Sequence, residues 1–205
     1  MIIYVWHFRE DVIIDIVGGF LGSGKTTLLI SIAKHYIDAG KKVIILVNEI
    51  GEVGVDGATI NGKGLESVQL AEGCICCSLS GTLQSTMKKI ESEFDPDVLI
   101  IEPTGLALPH KVRDIIRGTV DDEKVTIIGI CDAHRFATLV SKKEDFLRMQ
   151  LSRSDYLWIN KVDIADFQQV FDVSSWLRQI CPGAPIFMVS GKTGEGLDEA
   201  ISQLD

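Results

Sequence analysis

The chain has 205 residues, 46% of them apolar and 24% charged, with a formal net charge of −9 and a pI near 4.9. That size and balance suit one globular α/β domain with a substantial core, and the acidity excludes a general field for nucleic acid or an anionic membrane. No stretch is long enough to span a bilayer. The apolar lead Met1–Phe8 stops at Arg9-Glu10-Asp11, without a basic lead or a small-residue cleavage site. A cytoplasmic protein is expected, in which five cysteines are not a disulfide framework.

Taken in order, Met1–Phe8 alternates loosely, as an edge strand or an arm. Val12–Val17 is the first buried strand, continuously apolar apart from Asp15. Leu28–Ala39 reads as a helix closed by Gly40, and Val43–Val47 as a second buried strand. A long polar, glycine-rich loop, Asn48–Gly57, follows, and long loops at strand ends tend to carry function. Val68–Leu70 is a short strand candidate. Thr82–Phe94 is predicted helical, Val98–Ile101 a strand, His110–Arg117 a short helix and Val125–Ile130 a strand. Glu144–Ser152 is then helical, Tyr156–Ile159 a strand, Val170–Ile180 a helix and Ile186–Val189 the last strand, with a final helix from Leu197. This alternation predicts a mostly parallel sheet with helices on both faces, and the glycine-rich loop after the first strand, Gly19–Thr27, makes that fold one of the P-loop NTPase type. No repeat or linker divides residues 1–205, so a single domain without a second C-terminal domain is expected.

The stretch Gly19-Phe20-Leu21-Gly22-Ser23-Gly24-Lys25-Thr26-Thr27 lies between the first strand and the first helix. Strand, glycine-rich loop and helix form the context that gives a G-x-x-x-x-G-K-[ST] match its meaning. Glycines let backbone N–H groups turn inward around phosphate oxygens, and the new helix aims its partly positive end at them. Lys25 supplies a charge to the outer phosphates, and the Thr26 hydroxyl is suited to ligate Mg. The segment Asn160-Lys161-Val162-Asp163 follows a later strand. A carboxylate at Asp163 can accept the paired donors of guanine, which adenine lacks, so GTP is expected over ATP. The Lys161 stem would cover the base, and Ser190-Gly191-Lys192 would offer backbone N–H groups to the guanine oxygen.

Cys74-Ile75-Cys76-Cys77 places three thiols in four residues. Thiolates at this density can converge on one soft ion and leave a tetrahedral position open, which suits transfer more than permanent structure. A structural cluster or a redox switch would use the same residues. Cys131 and Cys181 lie in a strand and at a helix end, where small core residues are expected. The four histidines (His7, His35, His110, His134) are scattered and do not form a ligand set.

In this order, Gly18–Leu29, Asn48–Gly57, Glu72–Leu79, Ile100–Pro109, the Cys131-Asp132-Ala133 turn and Asn160–Asp163 resemble the CobW/HypB/UreG family of P-loop GTPases. Within it they resemble the CobW-like branch, across nearly the whole chain. The resemblance implies a metallochaperone or metal-insertion GTPase for Zn, Co or Ni. It implies that Glu102 is the acid near Mg, that Gly105 senses the γ-phosphate, and that Glu49–Asp56 form a switch contributing to the metal region. Cys74, Cys76 and Cys77 would hold the cargo metal. Glu49 or Asp56 would orient the attacking water, and no arginine finger stands out, so slow intrinsic turnover is expected. A metal-receiving client protein and a homodimer across the nucleotide face are the implied partners. The alternative is a regulatory GTPase acting on a cobalamin- or corrinoid-dependent protein, with structural or redox cysteines.

Overall fold

A computed structural model of the protein describes residues 11–47, 65–69, 80–117 and 125–204. The Met1–Phe8 segment, the Asn48–Gly57 loop with Glu49 and Asp56, and the cysteine segment with Cys74, Cys76 and Cys77 lie outside the described residues. Seven strands form one sheet in the order β3-β2-β4-β1-β5-β6-β7. They are β1 (Ile13–Gly19), β2 (Val43–Val47), β3 (Leu65–Gln69), β4 (Val98–Glu102), β5 (Val125–Asp132), β6 (Tyr156–Asn160) and β7 (Ile186–Val189). Every pairing between them is parallel.

The helices are α1 (Lys25–Asp38), α2 (Ser80–Phe94), α3 (Pro109–Ile116), α4 (Phe136–Leu151), α5 (Phe167–Ile180) and α6 (Leu197–Ile201). Strand residues alternate between the two faces of the sheet. Val17, Ile45, Ile100, Ile128 and Trp158 pack against Leu29, Ile32 and Tyr36 of α1 and against Ala200 and Ile201 of α6. On the other face, Ile14, Ile16, Ile44 and Ile101 meet α2 and α3 through Met87, Ile90, Val112 and Ile116. Leu157 and Ile159 continue that face against Leu147 and Leu151 of α4 and Trp176 and Leu177 of α5. Both faces are therefore covered, and the central strands are apolar on both sides, as a parallel sheet requires.

Beyond α1, which starts at Lys25 rather than Leu28, and element ends that move by one or two residues, three elements differ from the sequence expectation. β3 runs Leu65–Gln69 rather than Val68–Leu70; its register against β2 (Val43↔Leu65, Val47↔Gln69) takes in Glu66 and Gln69, polar residues that hide an edge strand. α4 begins at Phe136, eight residues before the expected start, and carries a break at Lys143 (φ −146°, ψ 30°). That kink splits the apolar period, so only the second half reads as a helix. α5 starts at Phe167, where the Asp166 side chain accepts from the Gln169 N–H (2.8 Å) and the Gln169 side chain accepts from the Asp166 N–H (2.9 Å). This reciprocal cap fixes the helix start ahead of its apolar stripe.

Candidate functional site

The polar motifs meet at the C-terminal ends of β1, β4, β5 and β6, where ligands of open parallel sheets bind. Gly22 and Gly24 of the loop after β1 have φ of 71° and 93°, a left-handed backbone that favours glycine. A Cβ on Gly24 would also run into the Asn160 amide. The loop can therefore be tight only with glycine there, and it delivers Lys25 and Thr26 at the first turn of α1.

Lys25 and Glu102 are both more than nine-tenths buried. The Lys25 Nζ lies 3.9 Å from Glu102 Oε1. The Thr26 hydroxyl donates to the same carboxylate, at 3.0 Å from Oε1 and 3.1 Å from Oε2. A hydroxyl and a carboxylate side by side are hard oxygen donors of the kind that suit Mg. Gly105, three residues past Glu102, sits against the loop tip: a Cβ there would stand 2.7 Å from the Leu21 backbone nitrogen. The Gln150 side-chain amide holds this turn by donating to the carbonyls of Gly105 (3.1 Å) and Ala107 (2.9 Å).

A cavity of about 280 Å³ opens beside the loop, lined among others by Gly24, Thr27, Lys161, Asp163, Gly191 and Lys192. Asp163 is oriented by the Ser190 hydroxyl, which donates to its Oδ1 at 2.7 Å. That hydroxyl in turn accepts from the backbone N–H groups of Lys192 (3.3 Å) and Thr193 (3.1 Å). Asn160 uses both ends of its amide on the protein, donating to Ser23 O (2.8 Å) and accepting from Gly191 N–H (3.0 Å). It therefore acts as a strut between the phosphate loop and the last loop. The Lys161 Nζ donates to Gly22 O at 2.8 Å and pairs with Asp132 Oδ2 at 2.7 Å; its φ of 70° turns the chain so that the ammonium reaches back over the loop.

Thus Lys25, Thr26, Glu102 and Gly105 come together at one end of the site, and Asn160, Lys161, Asp163, Ser190, Gly191 and Lys192 at the other. Three groups escaped the sequence reading: Asp132, Arg135 and Gln150. Asp132 is buried at the end of β5, and desolvation alone would raise its pKa. Hydrogen bonds from Lys161 and Arg135 outweigh that and hold it below the usual carboxylate range. The Cys131-Asp132-Ala133 turn was visible as a motif, but the sequence offered no sign of what the carboxylate grips. Burial pushes the Cys131 thiol up to about 12, as suits the core residue expected there, whereas Cys181 is only partly buried and donates to Ser154 O at 3.4 Å. Among the described residues, no cluster of three or more His, Cys, Asp or Glu could hold a metal ion, and no helix is long and apolar enough to cross a membrane.

A parallel sheet with a glycine-rich loop after its first strand, an acid at the end of β4 and a cavity beside the ends of β6 and β7 defines the class: a P-loop nucleotide-binding domain. The nucleotide-binding domain of CobW/HypB/UreG matches residues 13–188, and the chain belongs to that family. It is 38% identical to the zinc chaperone YjiA of Escherichia coli K12, over 88% of this chain and 58% of that protein. It is 32% identical to the zinc chaperone YeiR of the same organism, over 80% of this chain and 51% of that one. The chain thus spans between half and three-fifths of these curated relatives. The hydrogenase maturation factor HypB from Archaeoglobus fulgidus shares the fold, with a TM-score of 0.71 at 21% identity over 95% of this chain and 89% of that one.

Proposed function

We propose that this domain binds and hydrolyses GTP, and that the nucleotide cycle controls uptake and delivery of a transition metal to a client protein. The observation that carries the reading is the joint placement of Lys25, Thr26 and Glu102 at one end of the loop and of Asp163 in the cavity at the other. Phosphates and base are then gripped by one continuous surface. The family, and the zinc chaperones among its members, supply the metal half of the proposal.

In this reading the N–H groups of the Gly22–Thr27 stretch and the Lys25 ammonium take up the charge of the outer phosphates. Thr26 and Glu102 would hold Mg, which when bound neutralises charge on the phosphate oxygens. Asp163, aimed by Ser190, accepts the two guanine donors, and the stem of Lys161 covers the ring. The backbone N–H groups of Ser190, Gly191 and Lys192, expected to meet the guanine oxygen, already donate to Glu195 O, Asn160 Oδ1 and Ser190 Oγ, so that oxygen would have to share the longest of these bonds, the 3.3 Å one from Lys192. Gly105 touches the loop tip, so its position would follow the presence of the γ-phosphate. Glu49 or Asp56 would orient the attacking water. Cys74, Cys76 and Cys77, with Glu49, would bind the cargo ion: Zn, Co or Ni. Zinc is favoured by the relatives' names.

The test is binding of fluorescent GTP and ATP analogues together with phosphate release, using Lys25→Ala as the control. GTP should bind at least about a hundredfold more tightly than ATP, and the variant should lose turnover. Equal affinity for the two nucleotides would sink the guanine assignment.

A further inference from the structure

Asp132 grips two cations at once. Its Oδ2 accepts from Lys161 Nζ at 2.7 Å and from Arg135 Nε at 2.6 Å, and its Oδ1 accepts from the Arg135 backbone N–H at 3.1 Å. Each cation then reaches a carbonyl of the phosphate loop, and the two carbonyls are consecutive. Arg135 Nη2 donates to Leu21 O at 2.7 Å, and Lys161 Nζ donates to Gly22 O at 2.8 Å. The lysine belongs to the base-reading motif. The arginine does not, and no sequence motif flagged it.

The C=O and N–H of a trans peptide point to opposite sides of one rigid plane. A cation on Leu21 O therefore stands behind the Gly22 N–H, and one on Gly22 O behind the Ser23 N–H. These N–H groups belong to the loop that wraps the phosphates. A charge-assisted hydrogen bond at the carbonyl fixes the plane and polarises it, which strengthens the N–H as a donor. The loop tip is also held from its other sides. Gly105 closes on the Leu21 nitrogen, and Phe20 meets Phe146 of α4 edge-on, with ring centroids 6.1 Å apart. Arg135 immediately precedes α4, so helix and arginine hold the tip as one unit.

We propose that Arg135 is a positioning residue for phosphoryl transfer, acting in cis through the Leu21–Gly22 peptide. The inference rests on the GTPase reading above. An arginine is needed because its fork reaches two separated acceptors, Nε to Asp132 and Nη2 to Leu21, whereas an ammonium presents its charge at one point. Arg135 keeps the Gly22 N–H aimed at the outer phosphates while charge builds there, the stage at which preorganised donors contribute most.

The test compares Arg135→Gln and Arg135→Lys with the parent chain in single-turnover phosphate release across a range of GTP concentrations, alongside thermal unfolding. Arg135→Gln should lower the rate at saturating GTP about tenfold or more, while the half-saturating concentration moves less than about threefold. Arg135→Lys should recover part of the rate, because it keeps the charge but reaches one acceptor, with a Tm close to that of the glutamine variant. A saturating rate for Arg135→Gln within about twofold of the parent would overturn the proposal. So would a loss in both variants that simply follows their Tm. A parent chain that does not hydrolyse GTP would overturn the GTPase reading and this inference together, and its own trace would distinguish that case.

Discussion

The Thr26 hydroxyl lies 3.0 and 3.1 Å from the two oxygens of the Glu102 carboxylate, bridging the first turn of α1 to the end of β4. Seventy-six residues separate them in sequence, and the neighbouring strands β1 and β4 bring them together. Glu102→Gln keeps the shape and removes the charge. It should leave the fold intact, weaken the Mg dependence of GTP binding, and lower turnover about a hundredfold. A Mg titration of phosphate release reads both effects, and unchanged Mg dependence would exclude Glu102 from the ion's surroundings.

Asp163 accepts from the Ser190 hydroxyl at 2.7 Å, and in the proposed site it reads the guanine. Asp163→Asn replaces an acceptor by an amide that also donates. GDP affinity should fall at least about a hundredfold, since the 2-amino group then faces another donor and the remaining bond to N1–H loses its charge, and xanthosine diphosphate, which carries an oxygen where guanine has its amino group, should gain. Competition between the two diphosphates measures this directly. Parallel losses for both would mean that Asp163 supports the loop rather than reading the base.

Gly105 leaves no room beside the Leu21 nitrogen, which would stand 2.7 Å from an added Cβ. Gly105→Ala should push the loop tip away from its phosphate-binding shape. Both GTP and GDP should bind more weakly, by about 1–3 kcal/mol, the usual range for overpacking. Calorimetric titration with each nucleotide tests this, and unaltered affinities would show that tip and turn move independently.

Asp15 is fully buried in β1, and neither carboxyl oxygen has a hydrogen-bond partner among the described residues. Desolvation raises its pKa to about 7, with the Tyr36 hydroxyl pulling weakly the other way. That hydroxyl donates instead to Leu204 O at 3.2 Å. Because the folded pKa is raised, the folded state binds the proton more tightly than the unfolded one. Below about pH 4 the carboxyl is neutral in both states and carries no ionisation penalty. Between about pH 4 and 7 the penalty grows, and stability falls as pH rises. Asp15→Asn should flatten that slope and stabilise the protein at pH 8 by roughly 1–3 kcal/mol, less than the full linkage because the amide stays buried. Urea unfolding at pH 5 and pH 8 checks it; an unchanged difference between the two pH values would mean that Asp15 is not the titrating group.

The sheet was legible because its central strands are mostly apolar runs, that of β1 broken only by Asp15 before its closing glycines, and the phosphate loop because its glycines sit between strand and helix. Asn160–Asp163 was legible as a motif at a strand end, although the struts that Asn160 makes to Ser23 O and Gly191 N–H depend on two loops, one of them more than a hundred residues away in sequence. Arg135 and Asp132 were not legible as a pair of clamps. Asp132 holds Arg135 and Lys161, and those two cations end on the backbone carbonyls of Leu21 and Gly22; a carbonyl leaves no mark in a sequence. Gln150 was hidden for the same reason, since it holds Gly105 and Ala107 through their main chain. The first half of α4 was missed because the break at Lys143 interrupts its period.

The most direct test is a chelator-competition titration of Zn and Co, with Mg present and either a non-hydrolysable GTP analogue or GDP bound. Cys76→Ser serves as the control. A metallochaperone gated by GTP should bind metal about five- to a hundredfold more tightly in the GTP state, a coupling in the usual allosteric range, and the variant should lose the difference. Metal affinity no greater than that of Cys76→Ser in either nucleotide state would contradict the metal assignment and leave a GTPase that acts on a protein partner.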